Sequence, residues 1–182
     1  MIIILIKGFS HSGKDFVGNI LCEEYGYKRF AFADSLKKLV ADKYKCDVNI
    51  LHSQKGKLET CYDDYLKRTY RQILIDEARE MRNVNPDVFV IHCCEEIRKI
   101  ASNSKIVITD WRYENELAVL KYTFPNAKIH TIHLIRKGQT ESPVSDVSEY
   151  QLMNYNCDYD ICNNMDESIY DEINKIKIIT NN

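Results

Sequence analysis

The first sixteen residues, 1-MIIILIKGFSHSGKDF-16, decide the fold. Residues 2–6 are all apolar, and the run stops at Gly8, which predicts a short buried β-strand. A helical pattern follows, with Val17, Ile20 and Leu21 at the i, i+3, i+4 spacing. The segment between them, residues 8–14, reads Gly-x-x-x-x-Gly-Lys. Strand, short loop and helix is the context that a phosphate-binding loop requires.

The chemistry of such a loop follows from its residue types. Glycines let the backbone curl and approach an anion closely, and the backbone N–H groups can then face a phosphate at the positive end of the helix. The residues expected to hold phosphate in this way are Gly8, Ser10, His11, Ser12, Gly13 and Lys14. The Lys14 side chain is expected to reach the terminal phosphates. The alternative is a glycine-rich turn that matches by chance, and the agreement of spacing, lysine and flanking pattern argues against it.

Asp15 departs from the usual loop, which has Ser or Thr after the lysine to hold Mg²⁺. A carboxylate can hold Mg²⁺ directly or through water, but it adds negative charge beside the phosphates. The sequence therefore predicts a magnesium site with a different ligand.

Composition narrows the class of protein. With 182 residues, 45% of them hydrophobic, the chain is expected to form one domain. A net charge of -2 gives no basic field, so nucleic acid is not an expected partner. No apolar run approaches the roughly 20 residues of a membrane span, which predicts a soluble, cytoplasmic protein. Seven scattered cysteines without C-x-x-C spacing favour reduced thiols over zinc or disulfides.

The rest of the chain alternates between strand and helix patterns. Alternation of this kind predicts an α/β fold, a three-layer α/β/α sandwich around a five-stranded parallel sheet. Residues 45–65 lack a clear period and are expected to form a short helix and an excursion. The other predicted helices are 14–25, one starting at 34, 65–82, 85–102, one ending near 124, and 166–178, and the later strands are 28–33, 105–110, 127–135 and 159–163.

The helix predicted over residues 65–82 carries arginines beside its apolar stripe. That stripe includes Leu66, whereas Arg71 and Arg82 lie on another side, eleven residues apart. At 1.5 Å per residue this is roughly 16 Å, so both could grip one phosphate only if the helix breaks between them, near residues 76–79. The alternative is a solvated face with arginines paired to neighbouring acids, which the helical pattern alone favours.

A second functional stretch is the strand over residues 105–110. Its three β-branched apolar residues predict a buried strand, and Asp110 lies at its carboxyl end, where open parallel sheets bind ligands. Beside a phosphate loop, such an aspartate organises Mg²⁺ or its waters. The alternative is that Asp110 caps the next helix. Arg112, two residues further on, can reach an anion above the sheet.

The segment 136–149 is predicted to be a lid. Arg136 ends a strand, and residues 137–147 are polar and include Gly138 and Pro143. Because phosphoryl transfer competes with hydrolysis, a segment that closes and excludes water has a chemical purpose.

Taken together, these motifs resemble the nucleoside-monophosphate kinase superfamily, and within it the phage and viral deoxynucleoside monophosphate kinases. The loop ending in Gly-Lys-Asp and the Asp-x-Arg-aromatic-x-Asn-Glu arrangement at 110–116 carry the resemblance. The other matching stretches are 32–37, 71–87, 145–149 and 160–164. The resemblance implies ATP- and Mg²⁺-dependent transfer of a phosphoryl group to a (deoxy)nucleoside 5′-monophosphate, in the host cytoplasm for a viral protein.

The resemblance also implies roles for individual residues. It puts ATP on residues 8–15 with Asn163 near the adenine, and Mg²⁺ near Asp15 and Asp110. The acceptor is implied to lie near Asp34, Lys37, Arg71, Arg82 and Arg112, and the helical region of about residues 34–84 is expected to bind it. The catalytic group implied is Lys14, Asp15, Asp110, Arg112 and Arg136. Met165 stands where those kinases often have glycine, and the lid segment is poor in arginine.

Two alternatives stay open. Animal-type phosphomevalonate kinase shares Ser-Gly-Lys-Asp-Phe-Val, here 12–17, and a strand ending in Asp-x-Arg, whereas residues 114–116 favour the nucleotide kinase. A nucleotide-binding module without catalysis is the other alternative, although the Asn-Lys-x-Asp motif of a GTPase is missing from the sequence. The sequence leaves a homodimer open and does not identify the acceptor.

Overall fold

In the computed structural model, which describes residues 1–142 and 146–176, five parallel strands form one sheet. The strands are β1 (Ile2–Lys7), β2 (Lys28–Phe30), β3 (Lys105–Ile108), β4 (Lys128–Arg136) and β5 (Tyr159–Asn163). Their order in the sheet is β2-β3-β1-β4-β5. Strand β1 is therefore central, with β3 paired on one side and β4 on the other.

The unbroken apolar run of β1 reflects this central position. Residues Ile3, Ile4, Leu5 and Ile6 are all 0% exposed, so both faces of the strand are covered. A strand buried on both faces is continuously hydrophobic rather than alternating. The phosphate-binding loop therefore follows the carboxyl end of the central, fully covered strand of the sheet.

Seven α-helices accompany the strands in the described part of the chain. They are α1 (Lys14–Tyr25), α2 (Asp34–Lys43), α3 (Val48–His52), α4 (Tyr70–Val84), α5 (Val88–Arg98), α6 (Glu114–Thr123) and α7 (Ser168–Asn174). Apolar residues of α1 and α7 share one buried cluster with β1, β4 and β5. The connection through α6 runs across the sheet in the opposite direction to that through α1, so right-handed crossovers put α6 on the other face. The predicted three-layer α/β fold with a five-stranded parallel sheet is confirmed.

The chain divides into two compact units. The larger unit, residues 1–31 and 96–182, contains the sheet, and the smaller unit comprises residues 32–95. The region expected to bind the acceptor, residues 34–84, lies within the smaller unit. No helix in residues 1–142 and 146–176 has the length and apolar character to cross a membrane.

The helix expected to begin at residue 65 begins at Tyr70. Thr69 caps it, because its side chain accepts from the backbone N–H of Gln72 while the Gln72 side chain accepts from the backbone N–H of Thr69. Tyr65 and Leu66 precede the cap and are 96% and 68% exposed, so placing Leu66 in the apolar stripe was wrong. Helix α4 then runs unbroken to residue 84, without the break between Arg71 and Arg82 that a shared phosphate requires.

Other element boundaries differ by a few residues. Strand β2 is shorter than residues 28–33, and α5 is shorter than 85–102 because the chain leaves the helix after Arg98. The final predicted helix, 166–178, is observed as Ser168–Asn174. Its last two residues, and Pro143 of the lid segment, lie outside the described residues.

Candidate active site

The phosphate-binding loop joins β1 to α1 through residues with left-handed backbone. The φ angles are 150° at Gly8, 65° at His11 and 100° at Gly13. A Cβ atom on Gly8 would lie 2.5 Å from the Leu134 carbonyl oxygen, and one on Gly13 would lie 2.4 Å from Asn163 Nδ2. The loop can therefore adopt this path only with glycine at both positions.

Lys14 folds back over the loop. Its Nζ donates to the carbonyl oxygens of Gly8, at 2.7 Å, and Phe9, at 2.8 Å. Burial, and then the positive charge of Arg112, lower the pKa of Lys14 to about 8, although nearby carboxylates oppose the shift. Two cations held together in a partly dry site make a strong binding place for an anion.

Asp15 is held by two residues that the sequence analysis missed. Its Oδ1 accepts from Thr109 Oγ1 at 2.8 Å and from Arg29 Nη2 at 3.1 Å. Burial alone would raise the pKa of Asp15, but the hydrogen bond from Thr109 and the charge of Arg29 outweigh it, and the pKa lies below its usual value. Arg29 thus offsets the extra negative charge that Asp15 brings to the loop. Gly18 allows the approach, because a Cβ there would lie 2.6 Å from Thr109 Cγ2.

The residues expected to bind magnesium fit that ion. Both hydrogen bonds between Asp15 and other described residues fall on Oδ1, and its side chain is 70% exposed, which leaves Oδ2 for a metal or its waters. Asp110 follows β3 and is close enough to Lys14 to raise the pKa of that lysine. Within the described ranges no three His, Cys, Asp or Glu side chains cluster to form an all-protein metal site. Mg²⁺ in phosphoryl-transfer sites needs only one or two carboxylates, completed by water and phosphate.

Arg112 is fixed through both its backbone and its side chain. Glu116 Oε2 accepts from the backbone N–H groups of Arg112, at 3.0 Å, and Tyr113, at 3.1 Å, and Glu116 is only 2% exposed. The Arg112 guanidinium forms an ion pair with Glu149 and donates to Ser148 Oγ. Glu116 therefore has a structural role here, as the third helical residue of the capping box that starts α6, with Tyr113 at the N-cap.

The beginning of the segment 136–149 lies against the phosphate-binding loop. Arg136 Nη1 donates to the His11 carbonyl oxygen, and Gln139 Nε2 donates to that of Ser10, both at 2.8 Å. These contacts place Arg136 beside the phosphate-binding loop, where it supports the loop backbone, and its catalytic role stays a prediction. Closure of the segment over ligands stays a prediction.

Asn163, the residue expected near the adenine, contacts the loop from the end of β5. Its Nδ2 donates to the Ser12 carbonyl oxygen at 2.9 Å, and the residue is 3% exposed. Its Oδ1 accepts from the Met165 N–H at 2.9 Å. Met165 has a φ of 66°, a left-handed backbone conformation that favours glycine. The adenine contact itself stays a prediction.

Four expected acceptor-binding residues lie in the smaller unit. Asp34 opens α2, and its Oδ1 accepts from Lys37 Nζ at 3.2 Å. Arg71 donates to Gln54 from Nη2, while its buried Nε has no partner among the described residues. Arg82 lies over the Phe89 ring, 4.6 Å from its centroid. An unpartnered buried donor supports Arg71 as a binding residue, because such a group is costly unless a ligand satisfies it.

A cavity of about 220 Å³ opens beside the loop within the larger unit. Gly8 and Phe9 border it on the loop side, and Trp111, Arg112 and Glu149 line it from the other elements. The larger unit thus brings together Lys14, Asp15, Asp110, Arg112, Arg136 and Asn163 around one loop.

The parallel sheet and the phosphate-binding loop with its lysine are those of a P-loop kinase, a class of enzymes that transfer the phosphoryl group of a nucleotide. The family model for phosphomevalonate kinase matches residues 6–126, and the chain belongs to that family. No curated protein matches the chain.

The solved structures to which the chain is similar are distant from it in sequence. TT1252 from Thermus thermophilus has a TM-score of 0.52 at 14% identity, covering 100% of this chain and 98% of that one. Shikimate kinase from Aquifex aeolicus is similar at a TM-score of 0.47 and 14% identity, over 97% and 94% of the two chains. The APS kinase CysC of Mycobacterium tuberculosis has a TM-score of 0.42 at 12% identity, covering 100% of this chain and 97% of that one.

Proposed function

We propose that the chain transfers the γ-phosphoryl group of ATP to the phosphate of a small phosphomonoester. The observation that carries this proposal is the pair of cations at the loop. Lys14 and Arg112 are close enough for Arg112 to help lower the pKa of Lys14 to about 8. A donor triphosphate and an acceptor phosphate bring opposed negative charge to one place, and two fixed cations stabilise that arrangement.

The residues of the loop have separate roles in this proposal. The backbone N–H groups of residues 8–14 and the start of α1 hold the β- and γ-phosphates. Lys14 Nζ leaves the carbonyl oxygens of Gly8 and Phe9 for the transferring group, and its pKa rises when phosphate binds. Asp15 and Asp110 hold Mg²⁺, which would supply charge neutralisation at the phosphates when bound. Arg29 and Thr109 keep the Asp15 carboxylate oriented for that purpose.

In this proposal the acceptor phosphate lies beside Arg112. Arg112, in the larger unit, is the residue that we propose to contact it. Arg71 and Arg82 are proposed separately as acceptor-binding residues of the smaller unit. Arg71 supports this role through its unpartnered buried Nε. Because α4 is unbroken, the two arginines of that helix contact different groups of the acceptor rather than one phosphate.

A deoxynucleoside 5′-monophosphate is the first acceptor that we propose. The resemblance to the phage and viral kinases extends over residues 145–149 and 160–164, beyond the residues matched by the family model. Both stretches contact the loop, through Glu149 to Ser10 and through Asn163 to Ser12. The motif at 114–116 no longer discriminates, since the structural role of Glu116 accounts for it without an acceptor.

A second acceptor, 5-phosphomevalonate, is favoured by the family match itself. It requires the same loop and the same Arg112, because its phosphate is also a phosphomonoester. The two acceptors differ at their other end, where a nucleobase is planar and aromatic and mevalonate ends in a carboxylate.

The test is a coupled assay of ADP release with Mg²⁺ and ATP. The acceptors are dTMP, dGMP, dCMP and 5-phosphomevalonate, each compared with a reaction without acceptor. The Lys14→Met variant measures the background, and Lys38→Met, at an exposed position of α2, is the matched control. Acceptor-dependent ADP release that Lys14→Met abolishes is the expected result. ATP binding without turnover on any of the four would refute the proposed activity and favour a non-catalytic nucleotide-binding module.

A further inference from the structure

Glu149 is a buried carboxylate to which the proposed reaction assigns no role. It ends the short 3₁₀-helix Val147–Glu149, and its side chain is only 2% exposed. Its Oε1 pairs with Arg112, while Oε2 accepts from the backbone N–H of Ser10 at 2.6 Å and from Ser142 Oγ at 2.9 Å. One side chain thus joins three segments that are far apart in sequence.

The Glu149 carboxylate is ionised in this environment. Burial alone would raise the pKa of Glu149. The charge of Arg112 and the hydrogen bonds from Arg112, Ser10 and Ser142 outweigh burial, so the pKa lies below its usual value. A buried carboxylate with donors on both oxygens is a rigid connection rather than a mobile surface charge.

The Arg112 guanidinium keeps donors for a ligand while it is held in this way. Its hydrogen bonds to Glu149 and Ser148 both use Nη1, and among the described residues no other hydrogen bond forms to this guanidinium. Nε and Nη2 are therefore available as a bidentate edge, the geometry that matches two oxygens of a phosphate. Arg112 and Glu149 both line the 220 Å³ cavity beside the loop.

The loop end of this connection is equally defined. Ser10 is held at its N–H by Glu149 and at its carbonyl oxygen by Gln139 Nε2, at 2.8 Å. Fixing Ser10 fixes the first turn of the phosphate-binding loop, where Lys14 Nζ also bonds. The Glu149 carboxylate therefore links the Arg112 guanidinium directly to the loop that carries Lys14.

We propose that Glu149 is a positioning residue that holds Arg112 against the phosphate-binding loop, so that its remaining donors bind the acceptor's phosphate. The proposal rests on the proposed function in one respect, that the acceptor is a phosphomonoester. Aligning donor and acceptor phosphates contributes much of the rate in phosphoryl transfer, where the protein does little covalent chemistry.

A competing role predicts the opposite result. The Glu149 carboxylate accepts from a loop N–H and from an arginine, the donors that a phosphate would use. If Glu149 occupied the place of a phosphate, its removal would strengthen phosphate binding. The two roles therefore differ in the sign of one measurable effect.

Trp111 gives a direct readout of this site, because it is the only tryptophan of the chain, is 2% exposed and lines the cavity beside Arg112. Its fluorescence is titrated with inorganic phosphate at constant ionic strength, with saturating Mg²⁺ and AMP-PNP, and AMP-PNP is titrated separately. The variants are Glu149→Gln and, as matched control, Glu141→Gln, at an exposed position of the same segment. We expect Glu149→Gln to weaken phosphate binding by about tenfold or more and AMP-PNP binding by less than about threefold. In the Arg112→Met background, Glu149→Gln should have no further effect on phosphate.

Unchanged or tighter phosphate binding by Glu149→Gln would overturn the proposal, as would an equal loss for both ligands or a wild-type protein that does not respond to phosphate. If Glu149→Gln fails to fold, Glu149→Asp retains the charge on a shorter side chain, and it should weaken phosphate binding by about fivefold. Binding as in the wild type would then refute the role. Because these titrations need no acceptor, they succeed or fail independently of the turnover assay. If none of the four acceptors is turned over but phosphate binding changes as expected, the proposed function is refuted and the role of Glu149 is retained.

Discussion

Lys14→Met is expected to abolish activity and at the same time to stabilise the fold. Burial and Arg112 lower the pKa of Lys14 from its ordinary 10.5 to about 8. At about 1.4 kcal/mol per pKa unit, holding the charged form in the folded protein costs roughly 3 kcal/mol. Methionine removes this cost but also removes the hydrogen bonds to Gly8 and Phe9, worth roughly 1 kcal/mol each. The expected net gain is about 1–2 kcal/mol near pH 7.

The pH dependence identifies the cause. Below the folded pKa of about 8, Lys14 is charged in both states and the whole cost is present. Between that value and 10.5, the unfolded chain binds more protons than the folded one, so the contribution of Lys14 to wild-type stability rises with pH. Above 10.5 the cost is gone. The advantage of Lys14→Met should therefore shrink as pH rises through this window.

The measurement is urea unfolding of the wild type and of Lys14→Met near pH 7 and near pH 9.5, values chosen on either side of the folded pKa. Near pH 7 the variant should also melt roughly 2–8 °C higher, while its turnover falls by about 10²–10³. Lys38→Met, at an exposed helical position, should change neither stability nor turnover. A variant that is less stable than the wild type near pH 7, or whose advantage does not depend on pH, would refute the burial of a charged Lys14 as the cause.

Three further changes test other parts of the site. Asp110→Asn should raise the Mg²⁺ concentration for half-maximal activity by about tenfold and alter ATP binding less, and an unchanged Mg²⁺ titration in both Asp110→Asn and Asp15→Ser would refute the metal site. Arg71→Lys should raise the acceptor KM by about tenfold with little change in the KM for ATP, because lysine lacks the two-pronged edge, whereas the exposed Arg79→Lys should do neither. Met165→Gly should stabilise the protein by about 1 kcal/mol in urea unfolding, since glycine adopts its φ of 66° without strain, and a loss of stability would contradict that account.

The parts of the fold that depend on local sequence could be predicted. The two glycines and the lysine that define the phosphate-binding loop all lie within residues 8–14, so the motif is recognisable without any long-range information. The apolar run of β1 likewise predicts a buried strand by itself. The place of Asp110 just after a buried strand could be predicted in the same way, whereas its role at Mg²⁺ stays a prediction. The sequence also contains the signal for the start of α4, because Thr69 and Gln72 form the Ser/Thr-x-x-Glu/Gln pattern of a capping box. Including Leu66 in the apolar stripe overlooked this signal.

The supporting residues of the site could not be predicted in the same way. Thr109 reaches Asp15 across 94 residues of sequence, and Glu149 reaches Ser10 across 139. Contacts of this kind depend on which strands are neighbours in the sheet, and no local period encodes strand order. No motif indicates that Arg29 contacts Asp15, since a charged residue in a short strand usually faces solvent. The roles of Asp34, Lys37 and Arg82 toward an acceptor stay predictions.

The central place of β1 has a consequence for synthesis of the chain on the ribosome. Its partners begin at residues 105 and 128, so the sheet cannot close around it until about 120 further residues have been made. At roughly 5–20 residues per second, the isoleucine-rich segment waits on the order of 6–25 s without its partner strands. An unpaired, uncharged β-branched run is a template for aggregation during that interval. The strand that anchors the phosphate-binding loop is therefore also a segment through which the nascent chain is exposed to aggregation.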